Sequence, residues 1–155
     1  MTKTIAFVFP GQGSQSVGML GELAEMYPLV TETFEEASDA LGFNLWKLVS
    51  EGPDSDLNQT HNTQPALLAA GVSVWRVWEQ QGFSAPVMMA GHSLGEYSAL
   101  VSAGAIAFAD GVRLVAERGR LMQEAVPAGT GAMAAILGLE DQAVIDVCSA
   151  SADDQ

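Results

Sequence analysis

The fold is decided by the stretch Met88-Met89-Ala90-Gly91-His92-Ser93-Leu94-Gly95-Glu96. A short apolar run, residues 86–90, stops at Gly91, and a helical pattern begins three residues later. Ser93 stands between two glycines in the Gly-x-Ser-x-Gly pattern of a nucleophile elbow, with a predicted strand before it and a predicted helix after it. Gly91 and Gly95 have no Cβ, so strand and helix can approach closely. The pattern predicts a Ser93 hydroxyl that can attack a carbonyl beside the N–H groups that open the next helix.

Composition narrows the class of protein. The 155 residues are enough for a domain with a core, and 48% of them are apolar. Six Lys and Arg face 19 Asp and Glu, for a formal charge of -13. This balance disfavours binding to nucleic acid or to an anionic membrane surface, since no basic stripe could neutralise phosphates. One cysteine, Cys148, and no apolar run near the roughly 20 residues of a membrane span predict a soluble cytoplasmic protein.

A second stretch predicts the other strand of a parallel sheet. Residues 4–9 form a nearly continuous apolar run, typical of a central strand buried on both faces. A Gly-rich loop, residues 10–15, follows it. Ser16 stands where a dinucleotide-binding motif has its third glycine, and the P-loop lysine is missing, so nucleotide binding is disfavoured. The loop instead predicts a second oxyanion donor at the carboxyl end of the strand, opposite the elbow.

The remaining chain is mostly helical in pattern. Residues 58–62 read as a polar loop, and the next helix is apolar nearly all round, which predicts a buried helix. After a linker at 127–131, a strand at 132–139 and a helix at 140–150 are too few elements for a stable domain by themselves. The predicted helices before that linker cover residues 20–41 with a break at Pro28, 45–49, 63–77, 94–103 and 110–126.

One arginine of the last of these helices stands apart. Arg118 lies among an apolar stripe formed by Leu114, Val115, Leu121 and Met122, and no carboxylate is placed to pair with it along the helix. Arg113 and Arg120 each have a glutamate four positions on and are interpreted as solvated pairs. A core-facing arginine needs an anion from elsewhere. That anion is either a distant acid or a substrate carboxylate held in bidentate fashion.

The general base for Ser93 is not evident. The only histidines are His61, in the predicted polar loop, and His92, whose ring should point away from the Ser93 Oγ. Elbow hydrolases place their histidine after the serine, and none follows here. Three explanations stay open: His61 serves from upstream, a carboxylate or lysine serves, or the chain is a fragment of a longer protein.

Four motifs, in order, resemble the malonyl-CoA:acyl carrier protein transacylases of bacterial type II fatty-acid synthesis: Phe9–Gln15, Thr63–Ala66, Gly91–Tyr97 and Glu117–Gly119. The resemblance runs from about residue 4 to the last residue. It implies an α/β fold. Residues 1–127 are then part of a large α/β-hydrolase-like catalytic lobe with a parallel sheet. Residues 128–155 are the first strand and helix of a small ferredoxin-like lobe.

The resemblance also implies roles. Ser93 takes the malonyl group as an ester, the backbone N–H groups of Gln12 and Leu94 form the oxyanion hole, and Arg118 holds the malonyl carboxylate. The malonyl group passes from malonyl-CoA to the phosphopantetheine thiol of acyl carrier protein. The CoA thioester is the substrate, and no cofactor or metal is implied.

The family's catalytic histidine lies in a later part of the large lobe, so we expect this chain to be inactive alone. Two other functions stay open. A serine esterase or thioesterase would share the elbow but use water as acceptor. A non-catalytic fragment would only assemble with a complementary C-terminal chain.

Overall fold

The computed structural model describes residues 4–126 and 136–152. The chain divides into two compact units, Met1–Ala125 and Val126–Gln155. The described residues form two strands and eight helices. In chain order the elements are β1 Ala6–Phe9, α1 Gly21–Met26, α2 Leu29–Leu41, α3 Leu45–Glu51, α4 Asp54–Leu57, α5 Thr60–Gln80, β2 Met88–Gly91, α6 Leu94–Ser102, α7 Phe108–Ala125 and α8 Asp141–Ser151. The predicted mixed α/β class is confirmed, with a small parallel sheet and mostly helices.

The sheet brings two loops to one edge. Strands β1 and β2 are parallel, with Ala6 opposite Met88 and Phe9 opposite Gly91. One residue further on, the His92 N–H donates to the Phe9 carbonyl over 3.1 Å. Carboxyl ends of parallel strands meet at the same edge. The Gly-rich loop and the elbow are therefore neighbours.

The core of the first unit lies among α2, α5, α6 and α7. The predicted buried character of α5 is confirmed, because Leu68 and its apolar neighbours are enclosed on every side. Val112 of α7 is likewise fully buried. A Cβ added to Gly119 of α7 would lie 2.6 Å from the Thr60 carbonyl oxygen, so the two helix backbones approach closely at that point.

Helix α5 begins earlier than its pattern predicts. It starts at Thr60, so His61 belongs to its first turn and not to a loop. The polar residues there bond to the end of the preceding helix α4: the Thr63 hydroxyl donates to the Leu57 carbonyl, and the Asn62 amide to the Asp56 carbonyl. Polar residues in the first turn of a helix resemble loop residues in sequence, which explains the error.

The strands are less buried than predicted. Phe7 packs edge-on against Trp75 and Trp78 of α5, but Val8 on the opposite face is 75% exposed. Val87, just before β2, is 70% exposed. The expectation of burial on both faces is wrong for the described residues, because helices cover one face of this two-stranded sheet.

In the second unit, the predicted final helix is present as α8. Cys148 lies on it and is exposed. Most of the predicted strand 132–139 falls outside the described residues, and its described part, 136–139, is not in a strand. Among the helices that the structure describes, none has the length and apolar character to cross a bilayer.

Candidate active site

Ser93 lies at a sharp turn between β2 and α6. Its backbone angles are φ 52° and ψ -107°, a conformation that a residue with a side chain rarely adopts. A Cβ on Gly91 would overlap the Gly95 backbone, and a Cβ on Gly95 would overlap the Phe9 carbonyl. The strand, turn and helix of a nucleophile elbow are thus all present, and the two flanking glycines permit the close approach.

Two backbone donors predicted for an oxyanion hole lie at this edge. Leu94 is the first residue of α6, where N–H groups have no partner within the helix. Within residues 4–126, the Gln12 N–H donates to no backbone or side-chain acceptor. Free N–H groups of this kind are available to a developing oxyanion, so their placement is compatible with the predicted role.

The loop that carries Gln12 is held by side-chain hydrogen bonds. The Gln12 side-chain amide donates to the Thr60 hydroxyl over 3.3 Å, at the start of α5. The Gln15 amide donates to the Asn58 side-chain carbonyl over 2.6 Å. The Ser14 hydroxyl closes the turn on the Gly11 carbonyl over 2.8 Å. These bonds fix the loop against the α4–α5 region.

The Arg118 guanidinium reaches the serine. Its Nη2 donates to the Ser93 Oγ over 3.1 Å, and its Nη1 donates to the Gln64 Oε1 over 2.7 Å. Its central carbon lies 5.6 Å from the centre of the Tyr97 ring, within cation–π range. No carboxylate of the described residues pairs with Arg118, whereas Arg76, Arg113 and Arg120 each pair with an acid.

The setting of Arg118 differs from the predicted core-facing stripe. Of the four stripe residues, Val115 is fully buried, but Leu114, Leu121 and Met122 are 47%, 52% and 39% exposed. The stripe lies at the boundary between core and surface. Residues of α7 before and after Arg118 are partly exposed to solvent, and of the four stripe residues only Val115 faces the core. Arg118 is half-buried and borders a groove of about 360 Å³ lined by these apolar side chains.

The surface pairs of α7 are partly rearranged. Arg120 binds both Glu124, as predicted, and Glu117. Arg113 pairs with Asp110 in place of Glu117. The hydrogen bond from Arg120 lowers the pKa of Glu117, and the positive charge of that guanidinium adds to the effect. Glu117, next to Arg118 in sequence, is thus engaged by another arginine.

Neither histidine of the chain contacts the serine within the described residues. The His92 ring lies beside Gly11, where an added Cβ would be 2.7 Å from its Nδ1. His61 borders a different groove, together with Phe43 and Arg113. Among residues 4–126, the hydrogen-bond partner of the Ser93 hydroxyl is Arg118, which is no base.

Sequence reasoning assigned no role to Gln64. It is fully buried on α5, its carbonyl accepts from Arg118, and its amide N–H₂ donates to the Met122 sulfur over 3.3 Å. Its signal was a polar residue at the start of an otherwise apolar helix. Polar residues are also common at helix starts, so the pattern alone did not indicate a functional role for Gln64.

Comparisons with known proteins agree on one family. A family model described as the acyl transferase domain matches residues 6–152. The malonyl CoA-acyl carrier protein transacylase of Salmonella typhimurium is 65% identical over 150 residues, 97% of this chain and 48% of that protein. The chain spans about half the length of the curated relatives it matches.

Solved structures give the same result. An acyl carrier protein S-malonyltransferase from Vibrio cholerae has a TM-score of 0.89 and 61% identity, covering 98% of this chain and 50% of that one. A second, with a TM-score of 0.91 and 59% identity, covers 96% of this chain and 48% of its own. It is described as a malonyl-transacylase in complex with its type II PKS acyl-carrier protein.

Proposed function

The chain belongs to the family of acyl transferase domains, and we propose that it carries the nucleophile and the acyl-binding arginine of a malonyl-CoA:acyl carrier protein transacylase. The observation that supports this most is the contact between the Arg118 guanidinium and the Ser93 hydroxyl. A cation that no acid of residues 4–126 pairs with, 3.1 Å from a serine on a nucleophile elbow, suits an acyl donor with a free carboxylate.

In finer detail, the proposal assigns residues 1–127 to a large α/β-hydrolase-like lobe and residues 128–155 to the start of a small ferredoxin-like lobe. The parallel pairing of β1 and β2 and the elbow after β2 support the first assignment. Helix α8 supports the second, since a helix is expected there.

The proposed reaction begins with attack by Ser93. The Oγ bonds to the thioester carbon of malonyl-CoA, and the carbonyl oxygen becomes an oxyanion that the N–H groups of Gln12 and Leu94 stabilise. The oxyanion then collapses to a carbonyl, the C–S bond breaks, and CoA leaves as a thiol, its sulfur taking up the proton that Ser93 gave to the general base. The Ser93 proton passes to a general base, which the family resemblance assigns to a histidine outside residues 4–126.

Arg118 holds the far end of the acyl group. A guanidinium presents two parallel N–H donors that match the two oxygens of a carboxylate. In the structure, Nη2 donates to the serine hydroxyl, and an arriving malonyl carboxylate would compete for that nitrogen. A carboxylate held there lies one short acyl chain from the nucleophile, which orients the thioester for attack.

The second half-reaction returns the acyl group to a thiol. The phosphopantetheine thiol of acyl carrier protein attacks the seryl ester, and the Ser93 hydroxyl is regenerated. The relatives' names support this acceptor. We place the reaction in the cytoplasm, which the single cysteine of the chain favours.

The test uses the whole protein as its gene encodes it, mixed with malonyl-CoA and analysed by intact mass spectrometry. We expect one malonyl group on Ser93, lost in Ser93→Ala and retained in Ser16→Ala, a control at another exposed serine. Arg118→Ala should weaken malonyl loading by roughly 1.5–3 kcal/mol of charge-assisted binding, and acetyl loading much less. Arg113→Ala on the same helix is its control.

The same samples separate the rival functions. A thioesterase would release malonate to water faster than it transfers the acyl group to a carrier thiol. A malonyl adduct that survives in Ser93→Ala, or equal losses of malonyl and acetyl loading in Arg118→Ala, would refute the proposal. A second chain in the mass spectrum of the native protein would instead favour assembly with a complementary chain.

A further inference from the structure

The residue that sets the direction of Arg118 is Gln64. Its side chain has no exposed surface and lies on α5, whose neighbouring residues Ala66, Leu67 and Leu68 are apolar. A buried amide is unfavourable unless its polar atoms find partners. The short bond that it makes is with Arg118, 2.7 Å from Nη1 to Oε1.

The orientation of the amide follows from its partner. A guanidinium has donors and no acceptor, so the atom that faces Nη1 must be the carbonyl oxygen. The amide N–H₂ group then faces the Met122 sulfur, which is a weak acceptor. The stronger of the two contacts is therefore the one with the arginine.

One fixed nitrogen of a guanidinium fixes the others. The group is planar and rigid, so holding Nη1 at Gln64 restricts where Nη2 can point, and in the structure it points at the Ser93 Oγ. The distance between the two helices is fixed as well. Gly119, next to Arg118, lies so close to Thr60 and His61 that an added Cβ would be 2.6 Å and 2.7 Å from their backbone atoms.

The charge of the partner matters as much as its position. A glutamate at position 64 could accept the same hydrogen bond, but it would also neutralise the guanidinium. An amide accepts the bond and leaves the positive charge for a ligand. Arg120 shows the opposite case on the same helix, since two glutamates bind it.

We propose that Gln64 is a positioning residue that determines acyl selectivity: its neutral amide aims the Arg118 guanidinium at the acyl site and leaves its charge available for an acyl group with a carboxylate. The inference rests on the proposed function and deepens it. It predicts that selectivity for malonyl over acetyl depends on the neutrality of residue 64, whose side-chain hydrogen bonds among residues 4–126 go to Arg118 and Met122.

The experiment compares the whole protein with Gln64→Glu, which keeps the size of the side chain and changes its charge. Acyl-ester formation on Ser93 is followed over a range of malonyl-CoA and acetyl-CoA concentrations, to separate kcat from KM. We expect kcat/KM for malonyl to fall about tenfold or more, mainly through KM, as charge-assisted binding is lost. Acetyl loading should change much less, so the malonyl-to-acetyl ratio falls.

Two further variants complete the test. Gln64→Leu removes the acceptor without adding charge. It should also lower the malonyl-to-acetyl ratio, because the Arg118 guanidinium loses the hydrogen bond that orients it. Gln80→Glu makes the same chemical change at the exposed end of α5 and should leave the ratio as in the unchanged protein. Urea unfolding of each variant shows whether the fold is retained.

The outcomes distinguish this inference from the function it rests on. If Arg118→Ala lowers the malonyl-to-acetyl ratio and Gln64→Glu does not, the role of Gln64 is wrong while the proposed function stands. Equal losses for both acyl groups in Gln64→Glu would reduce Gln64 to a structural residue. If the unchanged protein forms no malonyl ester on Ser93, the proposed function itself fails.

Discussion

Two valines, Val112 and Val8, have opposite surroundings on the two sides of the elbow. Val112, on the helical side, is fully buried in the core that α7 forms with α2, α5 and α6. Val8, on the strand side, is 75% exposed on the face of the sheet that no described helix covers. The sequence predicts burial on both faces for the strand that carries Val8, and only a core-facing stripe for the helix that carries Val112.

The contrast shows which apolar surfaces are buried by contacts among the described residues alone. Burial of the helix α7 follows from a pattern along one segment, and its partners α2, α5 and α6 all lie within residues 4–126. Strand burial depends on neighbours on both faces of a sheet. The geometry of the elbow also depends on the described residues alone, since it rests on backbone contacts among Phe9, Gly91 and Gly95.

Gly95→Ala is the sharpest way to break the elbow. The new Cβ would overlap the Phe9 carbonyl, and backbone atoms cannot yield as a flexible side chain can. We expect a loss of about 4 kcal/mol or more in the free energy of unfolding, among the largest effects of a single substitution. Urea unfolding followed by the fluorescence of Trp46, Trp75 and Trp78 reports on this unit.

The matched control is Gly21→Ala. Gly21 opens α1, and an added Cβ there would meet nothing within 4 Å. The stability should stay unchanged or rise by about 0.4–1 kcal/mol, because alanine restricts the unfolded chain. A small effect of Gly95→Ala, similar to that of Gly21→Ala, would contradict the close packing at the elbow.

The two valines give the direct comparison of the two sides. Val112→Ala should destabilise the chain by about 2 kcal/mol, from lost burial and a cavity, less the better helix propensity of alanine. Val8→Ala makes the same change on the exposed face and should alter stability by less than about 1 kcal/mol. Both are measured by the same urea titration, and equal effects would mean that the sheet face is covered in solution.

Much of the fold could be predicted because helices and turns are local. The break at Pro28, the end of α2 at Gly42 and the elbow at Ser93 all follow from residues within a few positions of each other. The start of α5 could not be placed, since the polar residues of its first turn are equally typical of a loop. The burial of β1 could not be judged, because it depends on which elements cover the sheet.

The candidate site divides in the same way. The sequence indicates Ser93 by a local motif and Arg118 by its missing partner along the helix. Gln64 is 54 residues from Arg118 in sequence, and only the packing of α5 against α7 brings the two together. Sequence periodicity describes one helix at a time and contains no information on that pairing.

The smallest expected effect on stability is at the exposed face of α7, where Glu117 pairs with Arg120. The hydrogen bond from Arg120 lowers the pKa of Glu117 in the folded chain, so the folded state holds the Glu117 proton less tightly than the unfolded chain does. This pair therefore stabilises the fold above the ordinary glutamate pKa, and the contribution disappears as the pH falls through the lowered value. We expect Glu117→Gln to shift the urea midpoint slightly at neutral pH and not at all in acid.

Glu79→Gln, at an exposed glutamate of α5, is the control, and added salt should shrink the Glu117 effect because the pair lies in solvent. A difference that persists unchanged in acid would mean that Glu117 acts by packing and not by its charge.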